Sequence, residues 1–294
     1  MDNFTLSAMS SGLVLQKLGK LLFVAVMLSM VFFVIQPAAA KSQAYKIFRE
    51  LSRYKMIWLT RDWDEIQGSK FIVRYTPQDS SIAAMVFESA EKSYEPVIRN
   101  FSGQYKGKIL VVIYPNKESL GRSFGWASDE SAMGVYWAGV IRVLSPSIWI
   151  KENDPEMLKE VFYNEGPLAH ELTHLLVDYE TGGNYTRWFT EGIAQYIEVK
   201  VTGYRIDYRS IDDYDELYSL SQMDRNFDSL YDQNLAYIQS LMAINCLVEY
   251  YGEKSLWDIL RKLGQGQSME FAFKNVLGVS MEQFERDFNQ WVIK

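Results

Sequence analysis

The chain of 294 residues contains one cysteine, Cys246, and therefore can form no disulfide within itself. Cys246 lies in the apolar segment LMAINCLVEYY, whose spacing is typical of a buried helix. A cysteine in such a segment usually acts as a small hydrophobe. The only two histidines, His170 and His174, lie together in another segment. A Cys–His nucleophile would therefore need one of these two histidines to act with Cys246 and not with the other histidine. We expect Cys246 to be structural.

Clusters of basic residues are also lacking. The chain has 30 Lys and Arg against 37 Asp and Glu, which gives a formal net charge of -7. Nucleic-acid binding requires Lys and Arg grouped against phosphates, so we expect no nucleic-acid partner. The content of 48% hydrophobic and 23% charged residues is that of a globular chain. Its length allows one large or two modest domains.

Only one long hydrophobic run is present, LLFVAVMLSMVFFVI at residues 21–35. Lys17 and Lys20 precede it and QPAAA follows it, which is the order of regions in an export signal. Its fifteen residues are few for a spanning helix, which needs about twenty. Residues 1–40 are therefore either a signal peptide cleaved after Ala40 or an N-terminal membrane anchor. Either alternative predicts an extracytoplasmic protein, secreted or anchored to the cell membrane by this segment.

The segment that follows, AYKIFRELSRYKMIWLTRDW, mixes basic and aromatic residues. Apolar residues recur at helical spacing in its first half, which predicts a short helix that leads into the domain. We expect this helix to pack on the domain as an arm. A role at a membrane surface is the alternative.

Histidine is scarce, and both histidines, His170 and His174, lie in the segment HELTH. Residues four apart return to the same face of an α-helix, so both imidazoles can bind one metal ion. Glu171 lies about 100° further round the helix, where it can reach a water at the ion without being a ligand. A single helical histidine is more often a core or surface residue, but this arrangement favours a metal site with a general base.

A catalytic zinc site needs three protein ligands and one open position, so another segment must supply the third ligand. Glu191 is the candidate, because it follows His174 after sixteen intervening residues, in the run WFTEGIAQY that is typical of a second helix. Residues 178–186 contain Gly182, Gly183 and Asn184, which indicate a loop. Two antiparallel helices joined by this loop would bring Glu191 to the ion.

These residues resemble a known family. HELTH followed by RWFTEGIAQY is similar to the gluzincin zinc metallopeptidases of the MA clan, most of all to the peptidase MA-like family, and more distantly to thermolysin and aminopeptidase N. The resemblance covers most of the chain after the amino-terminal segment. It implies Zn²⁺ as the cofactor, His170, His174 and Glu191 as its ligands, and Glu171 as the catalytic residue that activates water. A peptide or protein would be the substrate.

Two features depart from those relatives. The gap of sixteen residues is slightly shorter than in thermolysin and aminopeptidase N. The position four after the third ligand, where relatives commonly carry an acid that orients a zinc histidine, is Gln195. An amide can accept the same hydrogen bond without a charge. Asp178, four residues after His174, is the other candidate for this role.

Two further segments bear on the reaction. In aminopeptidase N-like enzymes the strand before the metal helix carries a glutamate that binds the substrate's free amine, whereas SAMGVYW at residues 131–137 has no acid. This favours an endopeptidase whose extended substrate pairs with the strand; a plain edge strand is the alternative. Tyr237 looks like the relatives' tyrosine that donates a hydrogen bond to the oxyanion, and it is the second catalytic candidate. Core packing is the alternative role for Tyr237.

Strand-like runs (FIVRYT, KILVVIY and GVYWAGVIRVL) precede the metal helix, and amphipathic helices follow it. Together with the resemblance, this predicts an α+β, zincin-like metallopeptidase fold. It would have a mixed-sheet N-terminal lobe, an HExxH active-site helix and a helical C-terminal lobe. The expected divisions are the leader at 1–40, the lead-in helix and linker at 41–68, the sheet-bearing lobe with the zinc-site helices at 69–200, and the helical lobe of the same peptidase domain at 201–294.

The sequence therefore predicts an exported zinc-dependent metallopeptidase, with membrane contact only through an uncleaved amino-terminal segment. Fold does not settle activity, and two other functions stay open. One is a non-catalytic, zinc-stabilised protein that binds or assembles envelope components on a peptidase scaffold. The other is a hydrolase that acts on a non-peptide amide of the cell wall.

Overall fold

A computed structural model describes residues 37–101, 105–125, 132–204 and 217–292. The part before residue 168 combines one sheet with flanking helices. Its helices are α1 (Pro37–Leu59), α2 (Ser80–Ile98), α3 (Lys117–Arg122), α4 (Pro146–Trp149) and α5 (Pro155–Glu165). Its strands are β1 (Asp64–Gln67), β2 (Phe71–Tyr75), β3 (Ile109–Tyr114), β4 (Gly134–Trp137) and β5 (Val140–Leu144).

The five described strands form a mixed sheet in the order β1-β2-β3-β5-β4. Strands β2, β3 and β5 run parallel, while β1 and β4 pair antiparallel at the two edges. Every residue of β3 is buried, as its uninterrupted β-branched run predicts for a strand covered on both faces. The run GVYWAGVIRVL forms the hairpin β4–β5, joined by Ala138 and Gly139. Strand β4 is therefore an edge strand.

The remaining described helices follow the sheet: α6 (Leu168–Thr181), α7 (Arg187–Thr202), α8 (Leu220–Asn226), α9 (Gln233–Tyr251), α10 (Glu253–Gly264), α11 (Met269–Leu277) and α12 (Met281–Val292). Helix α6 contacts β4, β5 and α2, and α7 contacts both α6 and α9. The predicted α+β fold with a mixed sheet and a helical remainder is confirmed. The division into residues 69–200 and 201–294 stays a prediction.

Helix α6 begins at Leu168 and continues to Thr181, so the loop predicted at 178–186 starts only at Gly182. The helix buries Leu172, Leu175 and Val177 in the main core. Burying a leucine side chain contributes about 2 kcal/mol, and these side chains fix α6 against the sheet. Its polar face is thereby turned toward α7.

Helix α1 packs on the domain, as the arm interpretation predicts, because it buries Arg49 and Met56. Of the leader predicted at residues 1–40, residues 1–36 lie outside the described residues, and residues 37–40 form the start of α1. Among the residues that the structure describes, no helix has the length and apolar character needed to cross a bilayer.

Candidate metal centre

Helices α6 and α7 bring three possible ligand atoms together. Helix α6 carries HELTH, and α7 carries WFTEGIAQY. His170 Nε2 lies 3.1 Å from His174 Nε2 and 3.2 Å from Glu191 Oε2. His174 Nε2 lies 3.3 Å from the same carboxylate oxygen. The gap of sixteen residues is therefore long enough to return Glu191 to the two histidines. The three residues predicted as ligands lie together in the fold and could hold a metal ion.

The size of this triangle fits a tetrahedral ion. Zinc binds imidazole nitrogen and carboxylate oxygen at about 2.0–2.1 Å, so two ligands at a tetrahedral angle are about 3.3 Å apart. The three observed distances of 3.1, 3.2 and 3.3 Å match that separation. Two imidazoles and one carboxylate are also one of the donor sets of catalytic zinc sites, which leave a fourth position open. These residues can hold Zn²⁺ without a change of backbone.

The electrostatics of the site favour a cation. Burial opposes a charge on His170, but hydrogen bonds from its ring to Glu191 and Glu198 outweigh burial and raise its pKa well above the ordinary value. Burial would also raise the pKa of Glu191, yet His174 and Arg187 hold it well below its usual range. The carboxylates thus create a buried position where positive charge is stabilised.

Glu171 lies beside the ligand cluster and is buried. Its Oε2 accepts a hydrogen bond from the backbone N–H of Tyr136 in β4. Burial raises the pKa of Glu171, and the nearby His170 and His174 oppose that rise. The strand can come this close because residue 134 is glycine: a Cβ there would lie 2.5 Å from Pro167 Cβ. Edge strand and metal helix are therefore in direct contact at the candidate base.

The second nitrogen of each histidine has its own partner. His170 Nδ1 lies 3.1 Å from Glu198 Oε2, and His174 Nδ1 lies 2.7 Å from Thr190 Oγ1. When Nδ1–H donates to these oxygens, Nε2 keeps its lone pair for a metal. Both partners are on α7, so α7 supplies a ligand and also orients the two ligands on α6.

The two residues expected to orient a histidine have other partners. Gln195 Nε2 donates to the backbone oxygens of Glu191 and Tyr237, at 3.2 and 2.9 Å. Asp178 accepts a hydrogen bond from the Tyr136 hydroxyl and lies beside Arg49. The expectation for Gln195 and Asp178 is therefore wrong. Gln195 faces α9, and Asp178 faces α1 and β4.

Arg187 was not singled out from the sequence. It lies one helical turn before Glu191, and its Nη1 donates to Glu191 Oε1 at 2.9 Å. Each oxygen of Glu191 thus has a separate role, since Oε2 faces the histidines and Oε1 faces Arg187. Spacing carries a signal for two of the missed residues: Arg187 is four before Glu191 and Glu198 is seven after it, all on one face of α7.

Tyr237 lies near the cluster because α9 packs closely on α7. A Cβ on Gly192 would lie 2.4 Å from the backbone oxygen of Ser240, so glycine permits this approach. Burial raises the pKa of Tyr237, and the negative charges of Glu191 and Glu171 add to the rise. Its ring packs edge-on against Phe227 at 5.4 Å between centroids. The hydroxyl therefore stays protonated, as a hydrogen-bond donor must.

Comparisons with known proteins identify a family for most of the chain. Residues 111–294 match the family model described as Peptidase MA superfamily. A curated relative, the uncharacterized protein YhcO of Bacillus subtilis (strain 168), is 22% identical over 243 residues, which are 74% of this chain and 68% of that protein.

Solved structures with a similar fold include an M1 zinc metallopeptidase from Deinococcus radiodurans, with a TM-score of 0.40 and 16% identity over 78% of this chain. Another is a mutant of a two-domain M1 zinc metallopeptidase bound to L-tryptophan, with a TM-score of 0.40 and 14% identity over 76% of this chain. In both comparisons the chain spans about half, 50%, of the solved protein.

Proposed function

Because the chain belongs to the Peptidase MA superfamily, we propose that it is a zinc-dependent metallopeptidase whose ligands are His170, His174 and Glu191. The observation that carries the proposal is the ligand triangle of 3.1 to 3.3 Å with the buried Glu171 carboxylate beside it. A site that only bound zinc would not require Glu171. A hydrolytic site requires a base in that position.

Zinc supplies Lewis acidity when bound, which lowers the pKa of a water to about 7 and polarises a scissile carbonyl. Glu171 takes the proton of the attacking water and returns it to the leaving amine. Burial supports this role, because it raises the pKa of Glu171 toward the range in which a carboxylate accepts and returns a proton readily. The Tyr136 N–H holds the carboxylate against β4.

Tyr237 is proposed to stabilise the oxyanion. Its hydroxyl is a protonated donor, because burial and the negative charges of Glu191 and Glu171 raise its pKa. A donor aimed at the developing negative charge lowers the barrier more than it stabilises the bound substrate. This assignment makes Tyr237 a catalytic residue alongside Glu171.

We propose that the substrate is a peptide or protein and that this chain cleaves it as an endopeptidase. Strand β4 carries no acid that would bind a free amino terminus, and an extended chain can pair with an edge strand through backbone hydrogen bonds. The apolar run at residues 21–35 supports an extracytoplasmic location, secreted or membrane-anchored.

Glu171→Gln tests the proposed function, because the amide keeps the shape of the side chain but cannot accept the proton. We expect the variant to bind zinc with parental stoichiometry and to lose hydrolysis of a denatured-protein substrate. Zinc content and peptide release are measured on the same preparation. Parental hydrolysis by the variant would contradict the mechanism.

The second candidate function is a non-catalytic, zinc-stabilised protein of envelope binding or assembly on the same scaffold. It is favoured by the burial of His174 and Glu191, since a structural zinc also stabilises a fold. A screen of the purified protein against mixed peptides separates the two functions. Zinc-dependent cleavage supports the peptidase, and a zinc-loaded protein that cleaves no peptide supports the second function.

A further inference from the structure

Helix α1 has one face in the protein and one face in solvent. Arg49 and Met56 are buried. On the other side, Ile47, Leu51, Tyr54 and Trp58 are 55, 63, 63 and 62% exposed. Their spacing of four, three and four residues places them in a single row along the helix. We call these four residues the α1 stripe.

The α1 stripe borders further exposed apolar surface. Phe48 and Leu59 of the same helix are half exposed, and Phe48 packs edge-on against Trp137. Beside them lies an open groove of about 610 Å³, and Lys55 and Arg122 are among the residues that line it. Contiguous apolar surface of this kind usually marks a site of interaction with a partner or a membrane.

The charge around the stripe identifies the partner. Apart from the buried Arg49, residues 37–61 contain five basic residues and one acidic residue, in a chain whose net charge is -7. Protein interfaces are depleted in lysine, whereas helices that lie in a membrane surface combine Lys and Arg with Trp and aliphatic residues. Arg61 shows this combination directly, since its guanidinium lies 4.5 Å from the ring of Trp58. The pattern therefore favours an anionic lipid surface over a second protein.

The sequence before α1 points to the same partner. The apolar run at residues 21–35 is followed by one residue, Gln36, and then by Pro37, where α1 begins. A chain inserted in a bilayer through this run would therefore deliver α1 at the level of the lipid headgroups, where Trp and Tyr side chains are favoured.

We propose that the α1 stripe lies on the surface of an anionic membrane, with its apolar side chains among the headgroups and its basic residues against lipid phosphates. Arg49, on the buried face of α1, donates to the backbone oxygen of Asp178 in the metal helix α6 at 3.2 Å. The membrane contact thus fixes the orientation of the metal centre relative to the bilayer. This inference does not depend on the proposed peptidase activity.

A fluorescent probe on the stripe of the full chain tests the proposal. Cys246 is buried, so a new cysteine on the surface can be labelled selectively. Tyr54→Cys carries a nitrobenzoxadiazole probe on the stripe. Tyr231→Cys carries the same probe at a fully exposed position before α9. Both proteins are reconstituted in vesicles of phosphatidylcholine, with or without phosphatidylserine.

We expect the emission of the probe at position 54 to shift to the blue and to be quenched by lipid-attached quenchers in the anionic vesicles. The shift should shrink in neutral vesicles, because the basic residues then lack their counter-charge. The emission of the probe at position 231 should be that of a probe in water in both the anionic and the neutral vesicles. Insertion through residues 21–35 alone would leave both probes in water and would overturn the proposal.

Two variants locate the contact within the stripe. Leu51→Ser together with Trp58→Ser should abolish the blue shift at position 54. Phe271→Ser removes from α11 a ring that is 63% exposed, as Tyr54 is. This control variant should leave the blue shift at position 54 unchanged. A blue shift that occurs without lipid and grows with protein concentration would indicate a second copy on the stripe, and would also overturn the proposal.

Discussion

His170 and Glu198 are joined by a hydrogen bond across α6 and α7, with Nδ1 and Oε2 3.1 Å apart. Glu198 lies seven residues beyond Glu191 on the same face of α7. The carboxylate accepts from Nδ1–H and so fixes the ring with Nε2 toward Glu191, at 3.2 Å. One helix thereby provides a metal ligand and the group that orients another ligand.

Glu198→Gln should weaken zinc binding about 10- to 100-fold, as losses of such orienting partners do. The amide keeps the size of the side chain and removes its charge. The dissociation constant is measured by competition with a chromogenic chelator. Glu282→Gln removes the same charge from an exposed pair with Arg286 and should leave zinc affinity unchanged. Equal affinities in all three proteins would show that Glu198 has no orienting role.

Tyr237→Phe should lower kcat by about 10²- to 10³-fold, the usual loss when one oxyanion donor is removed. KM and zinc content should stay near parental values, because the ring still packs against Phe227. Tyr163→Phe is the matched control and should retain parental kcat. Tyr163 is a half-buried tyrosine of α5, and the Lys92 ammonium lies over its ring. An unchanged kcat in Tyr237→Phe would leave only the packing role for this residue.

Arg49→Met should destabilise the fold by about 3–5 kcal/mol, because it leaves the buried Asp178 without its counter-charge. Both side chains are buried and their charged atoms are 3.5 Å apart. Arg61→Met affects an exposed pair with Asp62 and should cost less than about 1 kcal/mol. Urea unfolding measures both values.

Adding Asp178→Asn to Arg49→Met should recover part of the lost stability, since the unpaired charge is then removed. Additive losses in the double variant would contradict a coupling between the two residues.

Removal of zinc by a chelator should abolish hydrolysis while the protein stays folded. Arg187, Glu198 and Thr190 continue to pair with the ligands. Added zinc should restore hydrolysis and raise the melting temperature, since a ligand at 100 times its dissociation constant stabilises the native state by about 2.7 kcal/mol. In one zinc titration, circular dichroism measures the melting temperature and peptide release measures hydrolysis. A melting temperature independent of zinc would contradict binding to the folded protein.

Local patterns predicted much of the fold. The strands formed by the three strand-like runs and the helices of the C-terminal part follow from hydrophobic period and turn residues, which depend on neighbours in the chain. The same reasoning placed His170 and His174 on one helix face. The end of α6 was predicted too early, because a glycine pair marks a turn without fixing the residue at which the helix ends.

The partners of the metal-site residues could not be predicted in the same way. The resemblance suggested Gln195 as an orienting group, but Gln195 faces Tyr237 because α9 approaches α7 at Gly192. Glu198 takes the role from a position three residues further along α7. Which turn of a helix faces a ligand depends on how two helices cross, and packing sets that crossing.

The sequence by itself determined the donor types and their order along the chain, since helical spacing fixes which side chains share a face. Only the tertiary structure decided that Glu191 meets both imidazoles, that Tyr136 holds Glu171, and that Arg49 links α1 to the metal helix. Those contacts join residues far apart in the chain. Their distances are set by the burial of apolar faces between elements, which no local pattern specifies.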